Sequence, residues 1–247
     1  MPSQLVCRPE QDRPVAVLRV VGTLDLVTGD ALQQAVRRSL ANQPEQLLLD
    51  VAGMQVADPI ALTALSAVIC QTAEWPDVPI MLCGADRLTA KTIADSPDCA
   101  RVSHLPDCDD ALAEAGAHPA STPPQIRVRL RPVPDACRQV RNLVAQACTA
   151  WQRADLTSTA TLIATELVAN VVRHAHTTME FTLGLRNDRL SMTVRDGSRQ
   201  LPKPAEPGPT DAGGRGLRLV RDLTEAWGVL PVTDGKVVWT RLAAAAV

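Results

Sequence analysis

Aromatic side chains are almost missing from this sequence: it contains no tyrosine, one phenylalanine and four tryptophans among 247 residues. Because 46% of the residues are nevertheless apolar, the core must consist mainly of aliphatic side chains. An excess of charge is missing as well, since 25 Lys and Arg stand against 27 Asp and Glu. This balance argues against a protein that binds nucleic acid through bulk charge, and we expect no direct nucleic-acid partner.

Long apolar segments and clustered cysteines are also missing. No apolar run approaches the ~20 residues that a membrane span requires, and residues 1–14 contain no apolar signal-peptide region. These absences predict a cytoplasmic protein with no membrane partner. The seven cysteines show neither a C-x-x-C pair nor the spacing of a zinc site. We therefore expect free, buried or half-buried thiols in a reducing compartment.

A segment rich in Pro, Ser and Ala, GAHPASTPPQ at 116–125, divides the chain into two halves of ordinary domain size. We predict a first domain at 1–116, a linker at 117–125 and a second domain at 126–247.

The two halves predict different α/β architectures. In the first half, apolar strand patterns alternate with amphipathic helix patterns, which is typical of a mainly parallel sheet covered by helices. Its predicted strands are 15–25, 46–51, 79–84 and 100–105, and its predicted helices are 29–42, 59–75, 86–96 and 109–117. The second half has strands at 126–132, 179–188, 189–198 and 235–242, with helices at 135–151, from about 156 to 176, and at 214–229. This order indicates helices on one face of a mostly antiparallel sheet, and Asp155 is a candidate N-cap for the middle helix.

A polar row stands beside the apolar stripe of that middle helix. Glu166, Asn170 and His174 are four residues apart and therefore share one helix face. Burying such side chains without partners costs a few kcal/mol each. Either the row lies at a solvent edge without a function, or it lines a site where a ligand satisfies it.

Two motifs downstream bear on this choice. Asp196 and Gly197 follow a predicted strand, and Gly213, Gly214 and Gly216 stand at the start of a predicted helix. Glycines at a helix N-terminus let backbone N–H groups approach an anion, assisted by the positive end of the helix dipole. Alone, Asp196-Gly197 is better explained as an ordinary hairpin end, and the glycine-rich motif is equally explained as a flexible joint.

Together, the stretches ATELVANVVRHA, VRDGS and GGRGLRLVRDLTEAWGV, in this order, resemble the GHKL ATPases. They are most similar to the bacterial anti-sigma-factor serine kinases, and the resemblance covers about residues 126–242. It implies a Bergerat-type α/β sandwich that binds ATP with Mg²⁺.

The resemblance also implies a role for each matching residue. Asn170 would coordinate Mg²⁺, and Glu166 would orient or deprotonate the attacking hydroxyl. Asp196 would accept the adenine amino group, and Gly197 would let the adenine come close. The lid end and its phosphate-facing amides would be formed by Gly213, Gly214, Arg215, Gly216 and Leu217.

Three further expectations follow from the same resemblance. Thr240 on the last strand would supply a second adenine contact. His174 would either line the phosphate side or make a structural hydrogen bond. The proline-rich segment 199–212 would be a mobile lid, because loops of this length are seldom without a function.

The first half resembles the STAS domain of anti-sigma-factor antagonists through VVGTLDLVTGDALQQAV and LLLDVAGMQVADPIALTAL. In that family the residue after the aspartate of the following turn is a serine that receives phosphate. Here Asp58 is followed by Pro59, which has no hydroxyl group. The domain would therefore keep the STAS shape without the acceptor.

Two functions remain open. The first is a regulator that binds Mg-ATP, acts as an anti-sigma factor and phosphorylates a Ser or Thr of a separate STAS antagonist. The second is a non-catalytic adaptor in which the chain's own STAS half docks on the kinase half, in cis or in a dimer. Pro59 favours the adaptor and Glu166 favours catalysis.

Overall fold

The computed structural model describes residues 4–11, 15–67, 78–95, 103–117, 124–186, 188–201 and 215–243. The chain divides into two compact units, Met1–Thr122 and Pro123–Val247, and the division falls within residues 117–125. In the described ranges, no helix combines the length and the apolar content that crossing a membrane demands.

The first unit is built on a five-stranded sheet in the order β1-β2-β3-β4-β5. Its strands are β1 (Leu5–Gln11), β2 (Val15–Leu24), β3 (Gln46–Val56), β4 (Ile80–Cys83) and β5 (Ser103–Leu105). Its helices are α1 (Gly29–Ala41), α2 (Arg87–Ala94) and α3 (Cys108–Ala117). β1 pairs antiparallel with β2, and the other neighbours pair in parallel, so the predicted mainly parallel sheet is confirmed.

The core of the first unit lies on both faces of β3. Leu47, Leu48 and Leu49 are each at most 1% exposed, although successive side chains of a strand point to opposite faces. A continuous apolar run is therefore what a strand covered on both faces needs. Residues 59–61 form a 3₁₀ turn and 62–67 are helical, while the rest of the helix predicted at 59–75 lies outside the described residues.

A disulfide joins Cys83, at the end of β4, to Cys108, at the start of α3. The expectation of free thiols is wrong for this pair. The two cysteines are 25 residues apart, and only the packing of α3 on the sheet brings them together. The free cysteines among the described residues are Cys7, Cys137 and Cys148, and Cys70 and Cys99 lie outside the described residues.

The second unit has a five-stranded sheet in the order β6-β7-β8-β10-β9, and every neighbouring pair is antiparallel. Its strands are β6 (Gln125–Leu130), β7 (Met179–Arg186), β8 (Arg189–Asp196), β9 (Ala226–Val232) and β10 (Gly235–Leu242). Its helices are α4 (Asp135–Ala150), α5 (Thr157–Asn170) and α6 (Arg215–Leu223). One core cluster joins buried residues of the three helices to Phe181, Met192 and Val194 on the sheet. The predicted layer of helices on an antiparallel sheet is confirmed.

Two local predictions in the second unit are wrong. The helix expected at 214–229 ends at Leu223, because residues from Ala226 onward pair with β10 as strand β9. The N-cap of α5 is Leu156, and it makes no side-chain capping bond. Asp155 instead accepts hydrogen bonds from the Arg153 side chain, which also holds the pKa of Asp155 below its usual range.

Candidate functional site

The polar row begins on α5, where the buried side of the helix meets an accessible side. Ile163, Leu167 and Val168 are at most 2% exposed and pack in the core. Glu166 and Asn170 fall between these positions and are half-buried. Both side chains are therefore only partly withdrawn from water.

Gly216, in the first turn of α6, lies directly against this row. A Cβ added to Gly216 would lie 2.5 Å from Glu166 Oε2 and 3.8 Å from Asn170 Oδ1. The helix can approach Glu166 this closely only because position 216 has no side chain. The start of α6 thus lies beside Glu166 and Asn170, which are 46 residues or more away in sequence.

Not every residue expected at the lid end is described. Leu217 follows in α6 and is half-buried, and Arg215 begins the helix. Gly213 and Gly214 lie outside the described residues, as does most of the expected lid at 199–212.

Arg173 is a contact of Glu166 that the sequence did not suggest. Its Nη2 donates to Glu166 Oε2 at 3.3 Å and its Nε donates to the Ala169 carbonyl at 3.2 Å. The spacing of seven residues, about two helical turns, is the only sequence signal of this pair. The guanidinium balances the charge of the carboxylate and holds it on the side of α5 that Gly216 approaches.

His174 lies beyond the end of α5, in a turn of different geometry. Residues Val171–Ala175 form a π-helical turn, and His176 closes it in the left-handed conformation with φ of 55°. His174 is exposed.

Asp196, the last residue of β8, is 3% exposed. Its Oδ1 accepts hydrogen bonds from the Ser198 N–H at 2.8 Å and from Lys236 Nζ at 2.9 Å. Its Oδ2 is buried and has no hydrogen-bond partner among the described residues. A buried carboxylate oxygen without a donor is costly, so the atom suits a donor that a ligand brings.

Gly197 is exposed and follows the buried Asp196. Its N–H donates to Thr177 Oγ1 at 3.0 Å, which ties the turn after β8 to the chain just beyond the π turn. A Cβ at position 197 would make only an ordinary contact with Thr177, at 3.4 Å. The surrounding protein does not itself require a glycine here, which fits a surface left open for a ligand.

Lys236 is a second residue that sequence reasoning missed. It lies opposite Asp196 in the pairing of β10 with β8 and is 7% exposed. Gly235 makes this pairing possible, because its φ is +156° and an added Cβ would lie 1.9 Å from the Asp196 carbonyl oxygen. The dipeptide Asp234-Gly235 predicts a turn, but the sequence does not indicate that the residue facing Lys236 lies 40 positions away.

Thr240 is not brought to Asp196. It is fully buried in β10 opposite Met192, whose carbonyl accepts its hydroxyl at 3.4 Å. Position 240 is four residues beyond Lys236, which corresponds to roughly 13 Å along a strand. Thr240 therefore lies along the strand from Asp196, with its hydroxyl already bonded to the backbone, and its expected adenine contact stays a prediction.

The pKa of Cys137 on α4 is affected by two charged residues beside the polar row. Burial raises the pKa of its thiol, and the nearby positive charge of Arg173 partly opposes that shift. Glu166 acts in the same direction as burial. The thiol is consequently a poor nucleophile at neutral pH.

Residues 130–242 match the family model of the histidine kinase-like ATPase domain. No curated protein matches the chain.

The chain is partly similar to several solved structures. An anti-sigma factor antagonist from Mycobacterium paratuberculosis shares 23% identity over 46% of this chain and 96% of that chain, with a TM-score of 0.40. The RsbU and RsbW domains of a Mycobacterium tuberculosis protein share 16% identity over 49% of this chain and 32% of that chain, with a TM-score of 0.39. The histidine kinase domain of a blue-light activated histidine kinase from Erythrobacter litoralis shares 17% identity over 42% of this chain and 59% of that chain, with a TM-score of 0.31. At these TM-scores, the likenesses carry no conclusion about function.

Proposed function

We propose that this chain, which carries a histidine kinase-like ATPase domain at residues 130–242, is a partner-switching regulator that binds ATP with Mg²⁺ in its second unit. The observation that carries the proposal is the buried Oδ2 of Asp196, which has no partner in the part of the chain that the structure describes, beside the exposed Gly197. An adenine amino group is a donor of the right kind for this oxygen. ATP is an intracellular nucleotide, so the proposal includes a cytoplasmic location.

The phosphate end of the nucleotide is assigned to the row on α5 and the first turn of α6. Asn170 offers an amide oxygen for Mg²⁺, which prefers oxygen ligands. The first turn of α6 is positioned against the same side chains by Gly216, and its free N–H groups and helix dipole favour an anion. The Arg173 guanidinium lies on this side of the helix, paired with Glu166.

The proposed reaction is transfer of a phosphoryl group to a Ser or Thr of a separate STAS antagonist. Bound Mg-ATP would supply the phosphoryl group, whose bond to the ADP oxygen breaks as the bond to the hydroxyl oxygen forms. Glu166 would orient the hydroxyl and take its proton. A sigma factor is the partner that such a regulator would sequester.

The second candidate function is a non-catalytic adaptor, and the first unit favours it. The turn after β3 carries Asp58 and Pro59 where a STAS antagonist would carry its acceptor serine, so this unit cannot be the phosphorylated partner at that position. In this candidate, the unit docks on the kinase unit of its own chain or of a second copy.

Exposed apolar side chains are consistent with such docking. Leu26, Val27, Ile60 and Leu88 are each at least 59% exposed and follow the ends of β2, β3 and β4. Because these strands are parallel neighbours, the chain leaves them at one edge of the sheet. Asp25 Oδ1 accepts the N–H of Val27 at 2.9 Å, so the turn that presents this side chain is held in place.

Two measurements test the proposal. Mg-ATP affinity is compared between wild type and Asp196→Ala, for which we expect a loss of at least about tenfold, or about 1.4 kcal/mol. Transfer from radiolabelled ATP to candidate STAS antagonists is then compared between wild type and Glu166→Gln, which should abolish it. ATP binding without transfer to any antagonist would favour the adaptor, and equal ATP binding by wild type and Asp196→Ala would refute the proposed pocket.

A further inference from the structure

Lys236 is a buried lysine for which the proposed reaction has no step. Its side chain is 8% exposed, and the Asp196 side chain facing it is 1% exposed. Its Nζ donates to Asp196 Oδ1 at 2.9 Å and to the Ser198 carbonyl at 3.2 Å. Lysine is seldom buried to this extent, because removing an ammonium from water costs several kcal/mol unless a partner compensates. The burial of Lys236 against Asp196 therefore indicates a role for this ion pair in the proposed adenine site.

The two carboxylate oxygens of Asp196 differ in their contacts, and Lys236 binds only one of them. Oδ1 receives two donors, the Lys236 ammonium and the Ser198 N–H, whereas Oδ2 receives none from the described ranges. With one oxygen fixed from two directions, the carboxylate cannot rotate without breaking both bonds. A single acceptor of known orientation is thus left for a ligand.

We propose that Lys236 is a positioning residue that makes the base pocket selective for a purine with an amino group at C6. The inference rests on the proposed binding of ATP. An ionised carboxylate only accepts hydrogen bonds, so Oδ2 attracts an amino group and repels the carbonyl oxygen that hypoxanthine and guanine carry at C6. Lys236 supplies the opposite charge that lets an acceptor-only carboxylate stay buried at this position.

Removal of the ammonium changes this chemistry. Without its counter-charge, the buried carboxyl group is favoured as the neutral acid, which donates as well as accepts. A neutral acid can pair with a C6 carbonyl as readily as with a C6 amino group. Selectivity between the two bases should therefore fall more than affinity for either of them.

The test measures the affinity of the full chain for Mg-ATP and Mg-ITP, which differ at C6. We expect wild type to prefer ATP by about 100-fold or more, since a site built around one buried hydrogen bond rejects the mismatched group strongly. Lys236→Met should reduce this ratio to below about tenfold, and Lys236→Arg, which keeps the charge, should retain most of it. Lys91→Met, the same change at an exposed position on α2 of the first unit, should leave the ratio unchanged.

Thermal melts check that each variant is folded. The double variant Asp196→Asn with Lys236→Met provides a second test, because neither of its two new side chains carries a charge. An asparagine can present either its oxygen or its NH₂ group, so the double variant should not distinguish the two nucleotides. If folded Lys236→Met or the folded double variant keeps the wild-type ratio, the role of Lys236 is refuted while ATP binding stands. If wild type binds neither nucleotide, the proposed function itself fails.

Discussion

Gly216→Ala tests whether the contact between α6 and Glu166 is used in phosphoryl transfer. The new Cβ would lie 2.5 Å from Glu166 Oε2, and ordinary contact begins near 3.4 Å, so the carboxylate must retreat by about 0.9 Å. The end of a flexible side chain can make this movement at little cost. The retreat would disturb the 3.3 Å pair that Glu166 makes with Arg173.

We expect opposite effects on stability and on rate. Alanine favours a helix over glycine by up to about 1 kcal/mol, so the melting temperature should be unchanged or slightly higher. A displacement of about 1 Å at a catalytic group can cost about 10²-fold in rate, which corresponds to about 2.7 kcal/mol of activation free energy. ATP affinity should change far less than the rate, because the base contact at Asp196 is not touched.

The assay is the initial rate of transfer from radiolabelled ATP to a STAS antagonist at saturating nucleotide, together with a thermal melt. Gly184→Ala is the matched control, since its added Cβ would lie 3.2 Å from Ser191 Oγ on neighbouring strands and near neither Glu166 nor Asp196. We expect the control to transfer at the wild-type rate. A folded Gly216→Ala variant with a wild-type rate would show that the position of Glu166 is not critical.

Three further predictions concern stability and cysteine chemistry. The disulfide between Cys83 and Cys108 closes a segment with a sequence separation of 25. Replacing Cys108 by serine should therefore lower the free energy of unfolding of the first unit by about 3.5 kcal/mol. Denaturant titration with and without reductant measures this loss. Asp86 caps α2 through the Thr89 N–H, and this bond lowers the pKa of its carboxyl from 3.8. The stabilisation is therefore present above pH 3.8 and is lost as pH falls through the lowered pKa, so Asp86→Ala should reduce the melting temperature more at pH 7 than at pH 2. Burial raises the pKa of the Cys137 and Cys148 thiols. Their alkylation, measured by mass spectrometry, should therefore be slow at pH 7 and accelerate only above pH 9. Rapid labelling of either thiol at pH 7 would contradict this prediction.

Much of the predicted architecture followed from local sequence patterns. The wrong predictions concern elements whose structure depends on contacts with distant segments. The apolar run around Leu48 matched the burial that the structure has, and the strands predicted at 179–188 and 189–198 are present as β7 and β8. The helix predicted to reach Val229 ends at Leu223, because the preference for pairing with β10 outweighs the helical pattern of the following residues. β1 was missed because this edge strand, with Arg8, Pro9 and Glu10, lacks the apolar run of an inner strand.

By itself the sequence determined the two α/β halves, the pairing of Glu166 with Asn170 on one helix face, and the acid and glycine at positions 196 and 197. These features depend on periodicity and on residue type, which are local properties. Only the tertiary structure decided that Lys236 takes one oxygen of Asp196, that Gly216 meets Glu166, and that Thr240 pairs with Met192. Strand register and helix packing set these contacts, and both arise from the energies of side chains far apart in the chain.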